Sequence, residues 1–161
     1  MKKFKPSKKF MKIAINEAKK AIEKGNYAIG AVVIKNGNVI GRGAQNSHSS
    51  NDASAHAEIV AMREASKNLK TMYLIDCILY TTNEPCCMCT GMAIWSRIGC
   101  IVYGASMKDM LRYWKKIGNK QKLVPCKKII KGYGDPIKIV PNFMRKECIN
   151  LFTLNSKIDK R

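Results

Sequence analysis

The 161-residue sequence predicts an α/β fold in which a five-stranded mixed sheet is covered by helices on both faces. Three observations carry that expectation. An Asn36-Gly37 pair lies between two extended apolar runs, the strongest short signal for a β-hairpin. After the hairpin, each strand-like run is separated from the next by a helical pattern, as crossovers in a parallel sheet require. Read in order, the elements run αββαβαβαβα, and the length suits a single domain over residues 1–161 with a real core.

The first element is an amphipathic helix. Pro6-Ser7 is a start signal, Met11, Ala14, Ile15, Ala18, Ala21 and Ile22 recur at helical spacing, and Gly25 stops the run. Residues 27–34 and 38–43 are the hairpin strands; a loop rich in Ser and Asn, 45–52, leads into a helix over 54–66. Residues 77–81 read as a buried strand. A helix follows Pro85 to about Arg97, where Gly99 ends it, and 101–103 form the next strand. Residues 106–117 suit a helix, 120–135 a basic connection with some order, 137–140 a short last strand and 143–152 a closing helix.

Hydrophobic residues at 46% and charged residues at 25% exclude disordered, collagen-like and coiled-coil classes. Thirty Lys and Arg against eleven Asp and Glu give a net charge of +19, which raises nucleic acid or an anionic membrane surface as a partner. The placement of the charge is uneven. Residues 1–24 net +7, residues 25–104 only +1 and residues 105–161 +11. With 24 Lys and six Arg, the excess also fits solvated lysine faces, because Arg is the residue of choice for phosphate recognition. Seven scattered cysteines without a recognisable secretory signal fit a reducing, cytoplasmic setting rather than a disulfide framework. No run approaches the roughly 18 apolar residues of a membrane span.

The chemistry concentrates in the neutral middle. His56-Ala57-Glu58 and Pro85-Cys86-Cys87-Met88-Cys89 each open a predicted helix. Cys86 and Cys89, three residues apart, present both sulfurs to one side, and a helix N-terminus favours the thiolates that bind zinc. With His56 they make three protein ligands, which leaves the fourth tetrahedral position open as in a catalytic zinc site. A closed structural site would need Cys87 or His48 as well. Glu58 is placed to move protons beside the metal without binding it; a first-turn glutamate stabilised by the helix dipole is the plainer alternative. His-x-Glu followed by Pro-Cys-x-x-Cys is a pattern already described for zinc deaminases.

On these residues the chain resembles the cytidine deaminase-like superfamily, from about Met11 to Tyr103, with a weaker trace at the C-terminal helix. The resemblance implies a three-layer α/β/α sandwich whose last two strands are parallel. It implies one zinc per chain on His56, Cys86 and Cys89, a zinc-bound hydroxide that attacks an amidine carbon, Glu58 as proton shuttle, and release of ammonia. Asn51-Asp52, the run from Asp76 to Thr81, and Trp95 resemble bacterial guanine deaminases, whereas Ser96-Arg97-Ile98-Gly99 and Tyr103-Gly104-Ala105 resemble tRNA adenosine deaminases. The function implied is deamination of a purine base or nucleoside, guanine to xanthine first. Adenosine-to-inosine conversion in tRNA and cytosine or cytidine deamination are the alternatives, and a non-catalytic zinc module binding nucleic acid is the alternative of another class.

By the same resemblance Asn46, Ala57 and Trp95 contact substrate and the chain forms a homodimer, in which Trp95 and Arg97 have an alternative role in assembly. A loop-capping role is the alternative for Asn46. Two departures stand out. Ala28 stands where both groups usually carry Pro, and residues 106–122 lack the Asp-rich stretch of one group and the Gly-Ala-rich stretch of the other. Met107, Met110, Tyr113 and Trp114 in that segment either stack on a base or belong to the core.

Overall fold

In chain order the elements are α1 (Lys8–Glu23), β1 (Gly30–Lys35), β2 (Asn38–Ala44), α2 (Ser47–Ser50), α3 (Ala57–Leu69), β3 (Ile78–Asn83), α4 (Cys87–Trp95), β4 (Cys100–Ala105), α5 (Met107–Lys116), α6 (Cys126–Tyr133), β5 (Lys138–Val140) and α7 (Arg145–Asn150), closed by a 3₁₀ helix over Leu151–Lys157. They come from a computed structural model that describes residues 4–120, 122–134 and 136–158. The strands lie in the order β2-β1-β3-β4-β5. β1 is antiparallel to β2 and β3, while β3, β4 and β5 run parallel, the mixed sheet expected from an opening hairpin followed by crossovers.

Alternation along the strands makes two cores. Ala31, Val33 and Leu79 point to the layer of α3, α4 and α6; Val32, Ile34 and Tyr80 point to the layer of α1, α5 and α7. Helices on both faces thus complete the three-layer α/β/α sandwich. Close approach fixes α3 against the hairpin: a Cβ on Gly43 would overlap the carbonyl oxygen of Ala57, and one on Gly41 that of Ala61. Glycine is required there by the neighbouring backbone, and the same contact sets the height of the first turn of α3.

Several boundaries differ from the sequence reading, each for a local reason. The first strand begins at Gly30 rather than residue 27, and the 45–52 loop contains the short helix α2, ended by Asn51 in the left-handed region at φ 52°. α3 begins at Ala57 and not at 54, because Asp52 closes a turn on Ser54 and Gln45 Oε1 accepts from Ala57 N–H at 3.3 Å. The 120–135 connection holds α6, with residues 121 and 135 outside the description. Met144, at φ 52°, delays the closing helix to Arg145, and its end tightens into the 3₁₀ turn. Among the described residues no helix is long and apolar enough to cross a membrane.

Candidate active site

The starts of α3 and α4 lie side by side. His56 is the N-cap of α3 and Cys86 the N-cap of α4, both extended in backbone, and Cys89 lies in the first turn of α4. Nδ1 of His56 is 3.6 Å from Sγ of Cys86 and 3.6 Å from Sγ of Cys89, and the two sulfurs are 3.6 Å apart. Tetrahedral zinc, with bonds of about 2.3 Å to sulfur and about 2.05 Å to nitrogen, sets its donors roughly 3.6–3.8 Å from one another. The trio therefore forms one face of a zinc tetrahedron. His48 is not part of it, and Cys87 is exposed, so the closed four-ligand alternative lacks its fourth donor.

The electrostatics suit that ion. A hydrogen bond from Cys89 draws the Cys86 thiol down to about 4, against burial and with help from His56; Cys89 moves the other way because the pair holds a single proton. The Cys86 sulfur also raises His56. Glu58 is 3% exposed, and burial, then the nearby Cys86 sulfur, push its carboxyl above the ordinary range. A carboxyl so placed can take up a proton and hand it on.

Above the trio lies a pocket with about 580 Å³ of atom-free space, part of it open to solvent. His56, Glu58 and Cys86 form its floor, and Tyr27, Ile29, Asn83 and Glu84 form one wall. The other walls come from the far end of the chain: Met110, Tyr113 and Trp114 of α5, Leu123, and Phe152 with Asn155 of the 3₁₀ turn. Tyr113 and Phe152 stack with ring centroids 5.1 Å apart. The four candidate stacking residues thus divide, for Met107 is buried in the core at 2% exposure while the other three line the pocket.

The three expected substrate contacts are not brought to this pocket. Asn46 is the N-cap residue of α2, with Oδ1 accepting from Ser49 Oγ at 2.7 Å and its carbonyl accepting from Ser50 Oγ at 2.7 Å. Ala57 is buried at the start of α3 with its N–H on Gln45. Trp95 is 71% exposed and borders a separate hollow with Met72, Tyr73, Arg97 and Tyr133.

Residues that sequence reasoning passed over do line it. Glu84 is buried, and its two carboxylate oxygens accept from Met107 N–H at 2.7 Å and Cys126 N–H at 3.0 Å, the first residues of α5 and α6. One carboxylate thereby satisfies orphan donors of two helices and ties both to the strand end beside Cys86. Ala28 N–H donates to Asn155 Oδ1 at 2.8 Å, so the alanine in place of the usual proline supplies a donor that proline lacks. The available signal was the polar run from Thr81 to Glu84 at the carboxyl end of a strand in the parallel part of the sheet, where α/β folds bind ligands.

Three donors on one tetrahedral face, a buried carboxyl beside them and a partly open pocket above define a mononuclear zinc hydrolase on an α/β/α frame. The chain belongs to the family of the cytidine and deoxycytidylate deaminase zinc-binding region, whose model matches residues 5–105, and it is a zinc-dependent deaminase. It is 39% identical over 146 residues to the tRNA-specific adenosine deaminase of Buchnera aphidicola subsp. Schizaphis graminum, covering 89% of each chain. A solved tRNA:A34 deaminase, one that edits A to I at the wobble position of transfer RNA, superimposes with a TM-score of 0.75 at 28% identity, over 90% of this chain and 99% of that one. The guanine deaminase of Bacillus subtilis superimposes with a TM-score of 0.63 at 32% identity, over 81% of this chain and 92% of that one.

Proposed function

We propose that the chain deaminates adenosine to inosine in tRNA, in place of the guanine-first expectation. The observation that carries this reading is the 39% identity to a tRNA-specific adenosine deaminase across 89% of both chains. A second feature supports it. Next to the pocket, and sharing Tyr113 and Phe152 with it, runs a groove where Arg145 is paired with Asp109 and where Arg112 and Lys116 offer cations to phosphates flanking a flipped nucleotide.

His56, Cys86 and Cys89 would hold the zinc ion, which would supply Lewis acidity. The chain's own residues do the rest. Glu58 takes a proton from the attacking water and returns it to the base, so that a C–O bond forms, the C–N bond breaks and the amino group leaves as ammonia. Tyr113, Trp114 and Phe152 enclose the base and exclude bulk water.

Deamination of free guanine is the second reading, favoured by the 32% identity to the Bacillus subtilis guanine deaminase. Zinc-loaded protein incubated with tRNA and, separately, with guanine decides between them. The first reading expects inosine in tRNA and binding that weakens steeply with salt; xanthine from guanine with unmodified tRNA would establish the second.

A further inference from the structure

Two amides line the pocket, and they differ in what they have left to offer. The oxygen of Asn155 is committed to Ala28 N–H. Asn83 is 4% exposed, and its Oδ1 is one of two buried side-chain polar atoms without a hydrogen-bond partner among the described residues. The other, Oγ1 of Thr81, belongs to a residue that does not line the pocket. The amide nitrogen of Asn83 donates to Met110 Sδ at 3.0 Å, a weak acceptor. A buried carbonyl oxygen left unmatched is costly to a fold, and in a ligand pocket it marks a place where a ligand's donor belongs.

We propose that Asn83 is a specificity-determining residue of the deaminase pocket, its Oδ1 accepting a hydrogen bond from an N–H of the bound base. Met110 covers the amide in the free protein. Its side chain is unbranched, with three rotatable bonds, so a base entering the pocket can push it aside and replace the thioether contact. Bases without an N–H on that edge leave the oxygen unmatched and are rejected, as sites built around a hydrogen bond reject analogues that lack the group. The inference rests on the deaminase reading of this pocket and holds whether the base arrives in tRNA or free.

The test compares zinc-loaded wild type with Asn83→Leu, nearly the same size and without polar atoms, and with Asn83→Ser. Ammonia release is measured from an anticodon stem-loop RNA bearing adenosine and from guanine, together with thermal unfolding and zinc content. The expected result for leucine is a fall of about tenfold or more in kcat/KM on the substrate that wild type turns over, carried by KM. Its unfolding midpoint stays level or rises, because leucine removes the unmatched oxygen. Unchanged kcat/KM overturns the proposal, as does a loss of activity in step with lower unfolding temperature and zinc content, which marks a structural amide. If the leucine variant does not fold, the serine variant is judged by the same criteria. Should wild type release ammonia from neither substrate, the proposed function fails separately. Calorimetric titration with guanine and adenosine then judges Asn83: binding weaker by about tenfold or more in the variant supports it, and equal or absent binding overturns it.

Discussion

The two ends of the pocket come from two unlike parts of the chain. Residues 25–104 net +1 and supply the floor, with His56, Glu58 and Cys86, and the wall of Tyr27, Ile29, Asn83 and Glu84. Residues 105–161 net +11 and supply the enclosing walls from α5 and the closing turn. The reacting groups thus come from one part of the chain, and the enclosure around the substrate is completed by the other. The family model ends at residue 105, at the same border.

Four substitutions break or sharpen this division. The largest effect belongs to the floor. Glu58→Gln is expected to lower ammonia release by about 10²–10⁴-fold with zinc content unchanged, read by steady-state kinetics beside metal analysis. Gly43→Ala is next. The added methyl meets the backbone of α3, which cannot yield as a side chain tip would, and a loss of about 3 kcal/mol in denaturant unfolding, with weaker zinc retention, is expected.

Glu84→Ala attacks the joint between the two parts. It leaves the first N–H groups of α5 and α6 without their acceptor, so stability should fall by about 2 kcal/mol and KM should rise while zinc stays bound. Equal loss of kcat and of metal would show that the division is not real. The smallest change is Ala28→Pro, which removes the N–H that holds Asn155. About 1 kcal/mol of stability and a few-fold rise in KM are expected, with kcat held.

The division also explains what could be read from the sequence. His56, Glu58, Cys86 and Cys89 were legible because their spacing at two helix starts encodes the chemistry locally. The hairpin was legible from Asn36-Gly37, and the crossovers from alternating patterns. The far wall was legible in part: Met110, Tyr113 and Trp114 stood out as stacking candidates, whereas Phe152 and Asn155 reach the pocket only through the tertiary path of the chain. Asn46 carried two readings because an Asn beside a short helix and one that meets a base look alike in sequence. Glu84 and Asn83 escaped because a polar residue ending a strand reads as exposed until the parallel sheet buries it.

His56 and Cys86 stand 30 residues apart and cap different helices, yet their donor atoms meet at one point. An ion held there is a removable cross-link in a chain whose described cysteines are all free. Closing so long a loop takes entropy from the unfolded chain, as a disulfide does. Zinc bound there stabilises the folded chain by mass action, so chelation should lower the unfolding midpoint along with the activity.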